Sequence, residues 1–353
     1  MRRLLLVLLL VAPFVPASGA DAASSTGSFT RHRFEASDDA FSRDYFVYVP
    51  AKRPPKAPLV VYLHGCNQTA TDAAIGTRWN ELAAQRGFVV VYPEQREDPS
   101  ADGNLAGRGN GTQCWNWFRP DLMGRDIGEP GTIAGITKTV IKRHRLEPRR
   151  VYVIGASAGA DLATVMAALY PDVYAALGVL AGCPYLDCAD VSGTAAYEAM
   201  GLRARQVPVI AIQGTADYVN NLAMGGAVVQ QWLGTNDFAD NGTPDLSVAP
   251  LPAAVEHHGL DENAAAGVGS PGDLCAYATR HPCVGGAAGF EDSYPHSILH
   301  YVDAKGRALV DHWVVHGLGH AYPNGNTAAN WTDPLGPDVT MAAYAFFMDH
   351  PLR

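Results

Sequence analysis

The stretch Val151-Tyr-Val-Ile-Gly-Ala-Ser-Ala-Gly-Ala160, followed at once by Asp161-Leu-Ala-Thr-Val-Met-Ala-Ala-Leu169, decides how the chain is read. A β-branched run meets Gly155-Ala-Ser157-Ala-Gly159, and a helix-forming run follows with no loop between. This is the strand–turn–helix context of a G-x-S-x-G nucleophile elbow. The turn is sharp, so the residues two before and two after the serine can carry almost no side chain. The serine then stands alone above the sheet, and the helix N-terminus behind it offers N–H groups and a dipole to a developing oxyanion. The plain alternative is a Gly/Ala-rich turn with an incidental serine. The flanking strand and helix weigh against it.

On either side of this stretch, short and continuously apolar runs alternate with helical ones. Residues 45–49, 59–63, 88–92, 151–154, 176–180 and 207–212 read as strands, and residues 79–85, 132–145, 158–169 and 221–233 as helices. That alternation predicts an α/β architecture, a mostly parallel central sheet with helices on both faces. A hairpin follows at 297–302 and 308–315, and residues 341–348 read as a closing helix. Residues 23–30 read as a polar leader. Residues 94–131 form a long Gly/Asn-rich excursion, and excursions of this length inside a domain are more often functional than accidental. Residues 234–295 have weak periodicity and read as an insertion, stapled by its own cysteine pair, within a single catalytic domain spanning 23–353.

The 353 residues suffice for one large domain, and 48% apolar with 17% charged residues suits a globular chain. The net charge of −9 argues against a nucleic-acid or anionic-membrane partner. Arg2 and Arg3 precede an apolar run to Val11, and small residues follow around Ala17 to Ala22. That layout predicts a secretory signal over 1–22, too short to span a bilayer, and hence an extracellular or periplasmic protein without stable membrane insertion. Six cysteines in an exported chain imply disulfides, with fifteen possible connectivities. Local spacing favours Cys183–Cys188 and Cys275–Cys283, which leaves Cys66–Cys114 as the long-range pair. No C-x-x-C occurs, so no metal site is expected.

A serine hydroxyl needs an imidazole to take its proton, and the imidazole needs a carboxylate to fix its tautomer. On sheets of this kind the chain order is nucleophile, acid, base. Asp217 follows the 207–212 strand in Gln213-Gly-Thr-Ala-Asp217 and is the candidate acid; as an alternative it is an Asx-turn residue, and Asp187 and Asp190 are fallbacks. His320, in Gly317-Leu-Gly-His-Ala-Tyr-Pro323, is the candidate base, because its glycines let the chain fold back over the serine; His316 is the rival. His257, His258, His296, His300 and His312 read as surface or strand residues. The oxyanion hole needs two N–H groups: Ala158, after the serine, and Cys66, after the His64-Gly65 turn. Trp115, Trp117 and Phe118 are read either as an apolar platform for substrate or as the loop's own core, and His64 and Gln68 are grouped with the substrate-binding candidates.

With these residues in hand, the chain resembles the secreted polyhydroxybutyrate-depolymerase-type esterases, related to feruloyl and acetylxylan esterases. The matching segments are Leu63-His-Gly-Cys-Asn-Gln68, Cys114-Trp-Asn-Trp-Phe118, Gly155-Ala-Ser-Ala-Gly159, Ala181-Gly-Cys-Pro-Tyr185, Gln213-Gly-Thr-Ala-Asp217 and His316-Gly-Leu-Gly-His-Ala-Tyr-Pro323. The resemblance implies an α/β-hydrolase fold, a Ser157–His320–Asp217 triad, an oxyanion donor at Cys66 and ester hydrolysis without a cofactor. The chain departs from the resemblance in two places. No linker to an appended binding module is read in it, and the 234–295 insertion is longer than compact members have. Both turn the expected substrate toward soluble polyester oligomers or small esters, with plant-wall feruloyl or acetyl esters and acyl transfer as alternatives.

Overall fold

The computed structural model describes residues 27–36, 40–95, 112–186, 188, 190–260 and 293–353. The expected signal at 1–22, the Cys275–Cys283 pair and Asp187 lie outside the described residues. Among the described residues, ten strands share one sheet: β1 (Gly27–Phe34), β2 (Arg43–Pro50), β3 (Leu59–Leu63), β4 (Val89–Pro93), β5 (Val151–Ala156), β6 (Ala176–Leu180), β7 (Val209–Gly214), β8 (Ala254–His258), β9 (His296–Val302) and β10 (Ala308–Val315). Their spatial order is β1-β2-β4-β3-β5-β6-β7-β10-β9-β8. Strands β4, β3, β5, β6, β7 and β10 run parallel through the middle, and antiparallel pairs close both edges.

Buried parallel strands must be apolar on both faces, and the alternation along each strand divides two cores. Val61, Val91 and Val153 face α3 (Gly128–His144), α4 (Ala158–Leu169), α5 (Thr194–Met200) and α6 (Leu222–Asn241). Tyr62, Val90 and Tyr152 face α1 (Ala70–Gly76), α2 (Trp79–Arg86) and the closing α7 (Val339–Asp349). There Phe347 stacks on Tyr152 at 4.9 Å between ring centroids. No helix among the described residues is long and apolar enough to cross a membrane.

Four expectations need correction. Residues 27–34 form edge strand β1 rather than a leader; its outward Arg31 and Arg33 pair with Asp44, so it carries no apolar alternation. Helix α3 starts a turn before residue 132, at Gly128. Glu129 and Pro130 are first-turn residues, which the neighbouring glycines disguise as loop. Helix α6 continues through Gly234 to Asn241. A Cβ at Gly234 would overlap the Ser192 carbonyl, so this glycine permits close packing and does not end the helix. Beyond it Asn236 brackets β7's approach, accepting from Val207 N–H at 2.6 Å and donating to its carbonyl at 2.9 Å. The expected insertion therefore begins after α6, and its β8 pairs with β9 as an edge strand of the main sheet.

Cys66 is bonded to Cys114 and Cys183 to Cys188. The second pair sits beside a carboxyl carried by α4, a helix buried on every side. Asp161 accepts the Cys183 N–H at 2.6 Å, and burial pushes its carboxyl up to about 8. Between the ordinary value of 3.8 and about 8, the folded state keeps a proton that the unfolded state has released. Stability therefore falls as pH rises through that window. Asp161→Asn keeps the acceptor and removes the titration. Urea unfolding at several pH values should show a shallower decline for the variant than for the parent, and identical slopes would contradict this account.

Candidate active site

The carboxyl ends of the parallel strands deliver every element of the site to one edge of the sheet. Ser157 follows β5 directly and caps α4 with φ 54° and ψ −130°, a conformation that a non-glycine residue adopts at a cost of roughly 1–3 kcal/mol. The surroundings hold it there. Its N–H donates to Leu180 O at the end of β6 at 2.9 Å, and its carbonyl accepts from Ala160 and Asp161 at 2.7 and 3.0 Å. A Cβ at Gly155 would overlap the Gly159 carbonyl, and one at Gly159 would overlap the Leu63 carbonyl of β3. The two glycines are thus the condition for helix α4 to start this close to the sheet.

Strands β7 and β10 are parallel neighbours, with Gly214 opposite Val315, so the loops that leave them lie side by side. Ala216 N–H donates to Leu318 O at 3.0 Å and Gly317 N–H to Thr215 Oγ1 at 2.9 Å, which knits the two loops together. The result brings three distant residues into line. His320 Nε2 lies 3.1 Å from Ser157 Oγ, and His320 Nδ1 lies 2.8 Å from Asp217 Oδ2. The Asp217 side chain is fully buried and His320 is 10% exposed. Asp217 makes two sets of contacts, on different oxygens. Oδ1 accepts the Val219 and Asn220 N–H groups at 2.8 and 2.9 Å as a turn residue, while Oδ2 holds the imidazole. His316 points elsewhere, to Ser297 Oγ at 3.0 Å, and Asp190 is engaged by Gln231 and Ser192.

Ser157 and His320 open onto a cavity of 200 Å³, walled by Tyr62, Leu180, Val219, Tyr322 and Trp331, with Cys66 and Gln68 along one side. Parallel pairing of β3 with β5 sets the Cys66 turn beside the elbow, where a Cβ on Gly65 would lie 3.4 Å from Ser157 Cβ. Ala158 is the first residue of α4, so its N–H has no partner within the helix. Cys66 and Ser157 line the same cavity, and Ala158 directly follows the serine.

Several substrate-binding expectations do not reach this cavity. Trp115 is fully buried and donates its indole N–H to His64 O at 2.9 Å. His64 is fully buried too, and Trp117 and Phe118 pack edge-to-face at 5.9 Å away from the cavity lining. An aromatic cluster beside a cysteine reads the same whether it points in or out, and here Trp115 points in. Gln68 does line the cavity, but its Oε1 accepts from Gly65 N–H at 2.9 Å and its Nε2 donates to Asn330 O at 3.0 Å, so it braces the loop. Trp331 escaped the sequence reading. It stands edge-on to His320 at 5.9 Å with φ 59°, in a loop that carries no motif beyond its Asn and Thr content. Among the described residues no three His, Cys, Asp or Glu side chains are grouped to hold a metal.

Residues 43–246 match the family described as esterase PHB depolymerase. The chain is 34% identical over 298 residues to poly(3-hydroxyalkanoate) depolymerase C of Paucimonas lemoignei, covering 82% of this chain and 61% of that protein's length. It is 34% identical over 139 residues to feruloyl esterase B of Neurospora crassa, which is 39% of this chain and 43% of that one. Acetyl xylan esterase from Aspergillus awamori superimposes with a TM-score of 0.59 at 17% identity, over 90% of this chain and 99% of the other, and so shares the α/β-hydrolase fold. The chain belongs to the esterase PHB depolymerase family.

Proposed function

We propose that this protein is an exported serine esterase that cleaves carboxylic esters through an acyl-enzyme. Ser157 Oγ attacks the ester carbonyl as His320 Nε2 takes its proton, and Asp217 steadies the resulting imidazolium. The Cys66 and Ala158 N–H groups hold the oxyanion. Collapse expels the alcohol, which receives the proton from His320. A water then gives its proton to His320 and attacks the acyl carbon, and Ser157 recovers the proton as the acid leaves. The reading rests above all on the hydrogen-bonded line from Asp217 through His320 to Ser157 at the mouth of a largely apolar cavity. Export is supported by the basic and apolar start of the chain and by its disulfides.

For substrate, the proposal is a hydroxyalkanoate oligomer or polyester. The sequence match to the poly(3-hydroxyalkanoate) depolymerase extends over 82% of this chain, while the feruloyl esterase match is confined to 39% of it. Ser157→Ala should lower turnover of a p-nitrophenyl short-chain ester by at least about 10⁴-fold with an unchanged circular dichroism spectrum. Retained turnover would refute the mechanism. In a panel of 3-hydroxybutyrate oligomers, methyl ferulate and acetylated xylan, the oligomers should show the highest kcat/KM. A higher value for either of the others would move the substrate to plant-wall esters, and dominant transfer to an added alcohol or sugar would make the enzyme an acyltransferase.

A further inference from the structure

Behind the Cys66 turn lies a buried polar cluster that the mechanism above does not use. Its centre is Glu129, fully buried in the first turn of α3. Its carboxylate is met by donors from Asn116, Gln95 and Arg43. Asn116 N–H reaches Oε2 at 2.8 Å and Asn116 Nδ2 reaches Oε1 at 2.9 Å. Gln95 Nε2 also donates to Oε1, and the buried Arg43 guanidinium stands 3.8 Å away. A buried carboxylate is costly unless so satisfied, and such a set fixes all its members at once.

From Glu129 two branches run to the oxyanion turn. Gln95 donates from Nε2 to Cys114 O at 2.9 Å and from its backbone N–H to His64 Nε2 at 3.0 Å. Asn116 anchors the backbone next to Trp115, whose indole N–H holds His64 O at 2.9 Å. Because His64 Nε2 accepts, its proton is on Nδ1, which donates to Gly65 O at 2.8 Å. A trans peptide carries its C=O and N–H on opposite edges. Fixing the Gly65 carbonyl toward His64 therefore turns the Cys66 N–H away from it, and Cys66 and Ser157 both line the cavity. The Cys66–Cys114 disulfide ties the same turn to the segment that Gln95 and Asn116 hold.

We infer that Glu129 is a positioning residue of the oxyanion hole, acting through Gln95 and Asn116 on His64 and so on the Gly65–Cys66 peptide. The inference rests on the esterase reading above and goes beyond it, since Glu129 touches neither substrate nor the reacting serine. A merely structural Glu129 would change stability and leave chemistry alone.

Glu129→Gln puts an amide N–H₂ among donors and breaks one branch. Expected is a fall in kcat of about 10- to 100-fold on a p-nitrophenyl ester with KM within about twofold, short of the loss on deleting a donor outright. Affinity for an alkylboronic acid, whose tetrahedral adduct occupies the hole, should fall by the same factor as kcat/KM. Thr137→Val removes a buried hydrogen bond to Tyr174 from the same helix and should lower Tm with kcat unchanged. If Glu129→Gln does not fold, Gln95→Met carries the same readout. Where both fold, the double variant should be no slower than the slower single one. A wild-type kcat and boronate affinity in Glu129→Gln or Gln95→Met overturns the inference alone. A wild-type protein with neither turnover nor boronate binding overturns the esterase reading and the inference with it.

Discussion

The approach of Gly159 to the Leu63 carbonyl is the contact on which the site's geometry depends. It lets α4 begin within a single residue of β5, so that Ser157 has no room for ordinary backbone angles and projects from the turn. It also presses the elbow against the end of β3, the strand that leads into His64-Gly65-Cys66. One close contact between backbones thus sets both the exposure of the serine and its distance from the loop that carries the second proposed oxyanion donor. Any side chain at either elbow glycine would separate the two.

The rest follows from parallel pairing. Strands β3, β5, β7 and β10 all point their carboxyl ends to one edge, so loops far apart in the chain meet there. Ser157 and His320 are 163 residues apart in sequence and 3.1 Å apart in space. The Asp217 and His320 loops are tied to one another by backbone hydrogen bonds, and the Cys66 turn is tied by a disulfide and by the Glu129 cluster. A site whose groups are held before substrate arrives spends little free energy on reorganisation during the reaction.

The positions of Ser157, Asp217 and His320 were legible because each sits in a short motif at the end of an apolar strand, and strand order does the assembling. Helix α1 was legible in principle: Thr69-Ala-Thr-Asp72 forms a capping box. Edge strand β1 was not, since its outward residues, among them Thr30, Arg31 and Arg33, face water and leave no periodic signal. The aromatic run at Trp115 stayed open between two readings for a different reason. Composition reports that a ring is present but not which way the backbone turns it, and Trp115 spends its N–H on His64 O inside the protein. Glu129 and Gln95 were invisible because their partnership spans 34 residues and neither stands in a motif.

The central claim, that Ser157 is the nucleophile of a preorganised site, is tested most directly by covalent labelling. A p-nitrophenyl alkylphosphonate should modify one residue per chain, release one equivalent of p-nitrophenol and abolish esterase activity in proportion. Peptide mass spectrometry should then place the adduct on Ser157, with labelling greatly slowed in a His320→Ala variant. Full inactivation with the adduct on another residue, or full activity with Ser157 modified, would contradict the account.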